Sequence, residues 1–499
     1  MMLTWELSLV LLVFLLILRF LKQLWTCRHL PPGPLPLPLI GSMWRTGFKL
    51  CEDSLSELAK QYGNIYTVWI GHHPVVILSG YQTVKEGLIK YSEEFSGRLV
   101  INFFKMALKR RGLVLSNGRT WKQHRRFSVV TMRKLGLGKK GMERQIEEEA
   151  HWLVETFARA NGQPLDPLLP ITNAVSTMIC MLSFGYRFSL EDEKFQKLID
   201  AVDYVLKFGG SPFHALLELF PWLMLHLPGP HQKALSSTQL VLSFAKTEIE
   251  KHKECLTIHE PQDFTDFYLL QIEKSKGDPT STYNEENLSE CIFDLFVAGT
   301  ETTATALQWA LLLMVAYPDI QDKVHKEIDD VLGSPHSICF QDRKRLPYTN
   351  AVIHEVLRVK YALPIGIPRR SVKDVNMHGF IIPKNTIIVT DLCSVLHDPK
   401  QWENPKEFNP QNFLDKDGNF MAREEFLPFG AGHRVCLGEQ MAKMELFFFF
   451  TKLLRAFRLQ LPEGVTEKEL KIEPVMGLSF HPYPFKLCAV PRCGTSSST

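Results

Sequence analysis

Phe429-Gly430-Ala431-Gly432-His433-Arg434-Val435-Cys436-Leu437-Gly438-Glu439 is the stretch on which the fold reading turns. A single cysteine stands between two glycines, directly ahead of a helical run over 437–457. A thiolate at a helix N-terminus gains backbone N–H donors and the positive end of the helix dipole, which stabilise its charge. Gly432 and Gly438 carry no Cβ, so the backbone is free to approach a flat ligand. Phe429 is placed to pack on that ligand, and Arg434 to pair with an anionic substituent. A free cysteine is most often a buried structural residue. Five matched positions at fixed spacing argue instead for a ligating thiolate at Cys436.

Working outward, the long apolar helical pattern over 288–316 contains Ala298-Gly299-Thr300-Glu301-Thr302-Thr303. Ala298 and Thr302 are four apart and share one helix face, so two small groups leave a notch beside a hydroxyl. A threonine hydroxyl that bonds the carbonyl four residues back opens the helix locally. Glu301 is an acid beside that notch and a candidate proton source. Phe293, Leu295, Phe296, Val297 and Leu307 flank the segment, which argues against a solvated face. Asp294 and Glu301 argue against a second membrane span. Glu355-Val356-Leu357-Arg358 places an acid and a base three apart on one helix face. That spacing is common, and its weight comes from its place ahead of Cys436, with a β-like stretch in between.

The pattern F-x-x-G-x-R-x-C-x-G over 429–438 resembles the haem-binding loop of the cytochrome P-450 superfamily of haem-thiolate monooxygenases. The resemblance implies a mainly α fold with a minor β region. It implies haem b with Cys436 as the axial thiolate, which donates electron density and favours O–O cleavage. Phe429, Arg434, Gly438 and Ala298 become cofactor contacts, and Glu301 and Thr302 match the superfamily's acid–alcohol catalytic pair. Trp121 and Arg125 in W-x-x-x-R, Arg98 in Phe95-Ser96-Gly97-Arg98 and Arg369 in Pro368-Arg369 match positions that contact a haem propionate. Glu355 and Arg358 match its structural ion pair. Asn412 stands where the family usually has Arg or His, so there the network is limited to a hydrogen bond. The match runs over 31–492. Phe220-Pro221-Trp222-Leu223-Met224 and Leu227-Pro228-Gly229-Pro230-His231, among others, are similar to vertebrate microsomal family-two enzymes, most of all the J-type branch of fatty-acid epoxygenases.

Family position also implies a substrate pocket walled by Phe103, Phe104, Met106, Leu363, Ile365, Ile367, Met476, Leu478 and Phe480. Apolar walls favour long chains, at about 0.8 kcal/mol per buried CH₂. Lys109, Arg110 and Arg111 either meet a substrate carboxylate or solvate a loop. The implied partners are a lipophilic small molecule, membrane lipid, NADPH indirectly through NADPH–cytochrome P-450 reductase, and cytochrome b5. Lys122, Arg125, Arg126, Arg133, Lys134, Lys139 and Lys140 form either a face for an acidic partner or a solvated basic surface. Two other readings stay in view: a haem-thiolate isomerase of lipid peroxides that needs no reductase, and a non-enzymatic haem sensor or carrier.

The remainder of the 499-residue chain is consistent with this frame. A composition 45% hydrophobic and 22% charged excludes a disordered chain. A net charge of +3 gives no reason to expect a nucleic-acid partner. Ten singly scattered cysteines read as reduced thiols facing the cytosol. Residues 3–21 are nearly all apolar, and a helix of that length, rising about 1.5 Å per residue, spans roughly the hydrocarbon layer. Five Lys or Arg and no acid lie between Arg19 and Lys49, which keeps the following chain on the cytoplasmic side. The organisation read from the sequence is a single-pass endoplasmic-reticulum anchor over 1–30, a proline-rich hinge over 31–41 and a catalytic domain over 42–499. The sequon at Asn287 is then expected to stay unmodified. Helical patterns occupy 120–133, 142–158, 192–206, 236–252, 288–316 and 437–457, with strand-like alternation over 65–78, 379–390 and 471–490. Gly136-x-Gly138-x-x-Gly141 follows no strand and is no dinucleotide loop, and His354-Glu355 lacks a second zinc-binding histidine because residue 358 is Arg.

Overall fold

The computed structural model describes residues 10–492, except 12–13, 16, 19, 23–24, 26–27, 39, 48–50, 109–110, 137–139, 190, 256–259, 334–336, 467–468 and 477–478. The chain divides into two compact units. The first comprises Met1–Leu99, Leu363–Pro405 and Glu424–Cys436; the second comprises Val100–Ala362, Lys406–Arg423 and Leu437–Thr499.

The first unit is built on a five-stranded sheet. Ile65–Ile70 and His73–Leu78 are rich in β-branched and aromatic residues and pair antiparallel, from Ile65 opposite Leu78 to Ile70 opposite His73. His73–Leu78 then pairs parallel with Ile387–Thr390, which pairs with Arg369–Arg370, which pairs with Gly97–Arg98. Side chains alternate along each strand. Ile65, Val76 and Leu78 therefore join Val84 and Leu88 of the helix Tyr81–Ile89 in one cluster. Tyr66, Val68, Val75 and Ile77 pack with Leu55 and Leu58 of the helix Glu52–Tyr62 in another.

The cysteine loop is seated on this body. Gly432 opens a short 3-10 turn at φ +70°, and a Cβ there would lie 1.8 Å from the Leu88 carbonyl oxygen. The His433 N–H donates to Ser92 Oγ at 2.7 Å, and the Cys436 N–H closes the loop on the Phe429 carbonyl at 3.0 Å. Gly432 is thus required by its approach to the helix Tyr81–Ile89, a different reason from the ligand approach expected of it. A Cβ on Gly438 would meet no protein atom within 4 Å.

The second unit is mainly helical. Its longest helix, Glu285–Ala316, has 32 residues and starts where the Asn284 side chain accepts from the Asn287 N–H. Pro318 and Pro347 open two other helices at the position where a missing N–H costs nothing. The long helix packs on Leu168–Phe184 closely enough that a Cβ on Gly299 would lie 2.3 Å from Ile179 Cδ1. The helices differ from the sequence expectation at their ends: 236–252 lies within Pro230–Cys255, and the helix expected over 192–206 starts at Glu193, after the N-cap Asp192, and runs on to Gly209. Two small ribbons pair Phe457–Gln460 with Cys488–Pro491, and Val475–Met476 with Phe480–His481.

Glu355 and Arg358 are fully buried on the helix Pro347–Val359. Arg358 Nε and Nη2 donate to the two carboxylate oxygens at 2.7 and 2.8 Å, and Nη2 also donates to the Glu407 carbonyl at 2.9 Å. The Asn409 N–H and Asn412 Nδ2 donate to Glu355 Oε1 at 2.9 and 3.1 Å. Asn412 supplies a neutral donor to this carboxylate.

Two expectations about topology meet the structure differently. Among the described residues no helix is long and apolar enough to cross a membrane, and the apolar segment over 3–21 lies partly outside those residues. Asn287 is buried, and its Nδ2 donates to the Thr282 carbonyl at 2.7 Å, so a bare sequon follows from burial and does not report a compartment. Among the described residues, seven cysteines are free.

Removing one partner of a buried ion pair strands the other, so Arg358→Met is expected to cost about 3–5 kcal/mol. Asn412→Ala is expected to cost about 1–3 kcal/mol, the desolvation of an unmet acceptor. Gly432→Ala combines a left-handed backbone, worth about 1–2 kcal/mol, with overpacking of about 1–3 kcal/mol, whereas Gly438→Ala has room for its methyl group. Denaturant midpoints of the four variants check this order; a Gly438→Ala loss matching that of Gly432→Ala contradicts it.

Candidate functional site

In the first unit Cys436 is exposed at the end of the anchored loop and is in no disulfide. Arg98 and Arg369 are direct cross-strand partners, and both are buried. Like charges placed opposite each other on neighbouring strands repel. Arg98 Nη1 donates to the Ile367 carbonyl at 2.6 Å, and Arg369 Nη2 donates to the Ala431 carbonyl at 3.3 Å. Arg369 Nη1 is buried without a hydrogen-bond partner, and burial pulls this guanidinium down to about 10. Arg434 is buried too, with Nε donating to the Ser96 carbonyl at 2.8 Å. Two facing guanidiniums, one with an unmet buried N–H, are a donor set suited to an anionic group. The donor set fits a haem: propionates for the arginines, and an accessible thiol in Cys436 for the iron.

In the second unit the long helix is buried over most of its length, yet Ala298 is exposed and Val297, Gly299, Glu301 and Thr302 are half-exposed. Thr302 Oγ1 donates to the Ala298 carbonyl at 2.7 Å, the back-bond its spacing allows. Glu301 is held apart from this hydroxyl. Its Oε1 accepts from Ser479 Oγ at 2.8 Å and lies 2.9 Å from His481 Nδ1. Burial works against the charged form, but the His481 and Ser479 contacts outweigh it and hold the carboxyl below its ordinary range. A carboxylate so stabilised is an acceptor first, and serves as a proton source only when another group reloads it. Trp121, which is buried, and Arg125, which is half-buried, lie four apart on the helix Gly118–Lys134.

The expected pocket residues have varied settings. Phe103 is buried against Phe208, with ring centroids 5.2 Å apart, while Phe104 and Met106 are half-buried. Phe480 is buried, and its carbonyl accepts from Trp309 Nε1 at 2.8 Å. Leu363 is half-buried and Ile367 exposed. Ile365 packs against the sheet cluster around Leu55 and Val389, a structural use independent of any ligand. Leu478, Lys109, Arg110 and the Met476 side chain lie outside the described residues. Arg111 pairs with Glu286.

Sequence reasoning missed Ser479 and His481. Their signal was present: two polar residues two apart in an otherwise apolar strand-like stretch share one face. His252, Asp263 and Asp266 cluster in the interior, but the cluster is accounted for locally. Asp263 Oδ1 caps the helix Phe264–Lys274 through the Asp266 N–H, and Oδ2 lies 3.0 Å from His252 Nε2.

Comparison with known proteins agrees with this geometry. The family model described as Cytochrome P450 matches residues 31–489. Cytochrome P450 2J2 of Homo sapiens is 41% identical over 96% of this chain and 94% of its own length. Cytochrome P450 2J5 of Mus musculus is 41% identical over 95% and 94%. Cytochrome P450 2C29 of Mus musculus is 42% identical over 93% and 94%, so J and C relatives stand at nearly equal identity. With the match spanning nearly the whole chain, the protein belongs to the cytochrome P450 family and is a monooxygenase.

Proposed function

We propose that this chain is a membrane-anchored monooxygenase of lipophilic substrates, a long-chain fatty acid or a similarly shaped apolar molecule. Electrons come from NADPH through a reductase flavoprotein, with cytochrome b5 as an auxiliary donor, at the cytoplasmic face of the endoplasmic reticulum. The observation that carries the reading is the exposed turn of the otherwise buried long helix, where Thr302 back-bonds to Ala298 beside the acid Glu301. An isomerase that only rearranges a peroxide has no need of a proton supply at such a notch. When bound, haem supplies the oxygen-activating redox chemistry.

The chain's own residues do the rest. Cys436 ligates as a thiolate from a loop whose backbone is closed at Phe429. Arg98, Arg369 and Arg434 neutralise propionates and so orient the ring, with Trp121 and Arg125 adding contacts. Thr302 holds a proton on Oγ1 at the notch, and its back-bond keeps that hydroxyl in place. Apolar side chains such as Phe103 and Phe480 exclude water and favour long hydrocarbon chains. Anchoring is supported by Val10, Leu11, Phe14, Leu15, Ile17, Leu18 and Leu21, which are helical and exposed. Large exposed apolar side chains in one segment call for a non-aqueous environment. The organisation proposed remains an anchor over 1–30, a hinge over 31–41 and a catalytic region over 42–499.

Two variants test this reading. Cys436→His is expected to lose the red-shifted Soret band of a thiolate-ligated ferrous–CO complex, and retention of that band removes Cys436 as the ligand. Thr302→Ala is expected to keep the band while diverting NADPH electrons into peroxide in the presence of reductase and arachidonic acid. Product formation without NADPH consumption would instead identify the isomerase.

A further inference from the structure

The acid of the proposed acid–alcohol pair is tied to a ribbon at the far end of the sequence. Phe480–His481 pairs with Val475–Met476, placing His481 opposite Val475. Alternation turns Ser479 and His481 to one side and Phe480 to the other. The Phe480 N–H donates to the Ala362 carbonyl at 2.9 Å, and its carbonyl accepts from Trp309 Nε1. The ribbon is thereby pinned to the same long helix that carries Glu301, two turns before Trp309. Ser479 Oγ and His481 Nδ1 are 3.3 Å apart and both reach Glu301 Oε1, while Thr305 Oγ1 lies 3.4 Å from the same oxygen. The His481 side chain keeps about a fifth of its surface exposed, at 21%. Among the described residues, the other charged group acting on Glu301 is Lys207 of the helix Glu193–Gly209, itself paired with Asp203 at 2.8 Å. Lysine is a poor proton donor at neutral pH, whereas the His481 imidazole is in direct contact with the carboxylate and can carry a proton on either ring nitrogen.

We propose that His481 is the positioning and proton-loading residue for Glu301, so that the proton supply of this enzyme runs from water through the His481 imidazole to the Glu301 carboxylate. This rests on the role proposed above for Glu301 and Thr302. In the step, the Nδ1–H bond of the His481 imidazolium breaks and an O–H bond forms at Glu301 Oε1. The neutral imidazole regains a proton from water, and Glu301 passes its own proton on toward the notch. No electron moves. Ser479 holds the accepting oxygen in register throughout. The depressed titration of Glu301 agrees with this order, because a carboxylate that stays charged must be loaded before it donates.

The test uses the full-length haem-loaded protein with reductase and arachidonic acid. In the wild type, product per NADPH is expected to fall as pH rises, because fewer imidazolium protons are then at hand. His481→Gln keeps a hydrogen-bond donor but cannot titrate, and is expected to release several-fold more peroxide per NADPH with a flat pH profile. Ser479→Ala is expected to lower coupling without moving the pH midpoint. A readout independent of turnover is the ¹³C-histidine NMR titration of the ferrous–CO form, with the His481 signal assigned by its loss in His481→Gln. Glu301→Gln is expected to change the pH dependence of that signal, since the facing carboxylate is gone. His481→Asn serves the same measurements if the glutamine variant does not fold with haem. A wild-type pH profile in the His481 variants, or a His481 titration unmoved by Glu301→Gln, overturns the proposal. If Thr302→Ala also leaves coupling unchanged, the acid–alcohol reading fails as well; if Thr302→Ala uncouples and the His481 variants do not, only the loading role falls.

Discussion

Desolvation along the 32-residue helix Glu285–Ala316 is the constraint that organises the second unit. A helix that runs through an apolar interior must find a partner for each polar side chain it carries, because an unmet buried group costs more than a hydrogen bond returns. Each acid on it recruits a segment from elsewhere. Glu290 accepts the Arg111 N–H at 3.0 Å, and Asp294 accepts the Leu113 and Val114 N–H groups at 2.6 and 2.8 Å. Glu301 takes Ser479 and His481. The loop over 111–114 and the segment Ser479–His481 are held in place by acids of the helix. Burial pushes Asp294 up to about 7 despite its two amide donors, so this tether lies close to its own titration. The Glu301 tether is of the opposite kind, since His481 and Ser479 stabilise its charge.

The first unit obeys a complementary rule about cations. Its sheet brings Arg98 and Arg369 into direct register, which is unfavourable for the protein alone, and it leaves a buried guanidinium N–H of Arg369 unmet. In the cysteine loop Gly432 takes a left-handed conformation against Leu88, and that contact with the N–H bonds of His433 and Cys436 sets the loop rigidly. Rigid support of this kind holds a ligating atom without help from the ligand.

The Glu355–Arg358 pair illustrates how little of a buried network lies in its motif. Three-residue spacing on a helix puts the two side chains side by side in any protein. What makes the pair structural is complete burial, and the Glu407, Asn409 and Asn412 groups that use the remaining donor and acceptor capacity. Asn412 serves here because Glu355 already has its counter-charge in Arg358, and its remaining lone pairs need only donors.

The sequence by itself determined the features that are local in the chain. Helix geometry sets three- and four-residue neighbours, so Ala298 with Thr302 and Glu355 with Arg358 were legible before any fold was known. The cysteine loop was legible because its residue types follow one another within eleven positions, and the mainly helical class because hydrophobic period is a local signal. The tertiary structure decided what depends on distant segments meeting. The register of Arg98 with Arg369, the contact of Gly432 with Leu88, the packing of Ile365 into the sheet and the hold of Ser479 on Glu301 across 178 residues are of this kind. No spacing rule links such positions; they are brought together by burying apolar faces, and the polar groups buried with them then take whatever partners that packing provides.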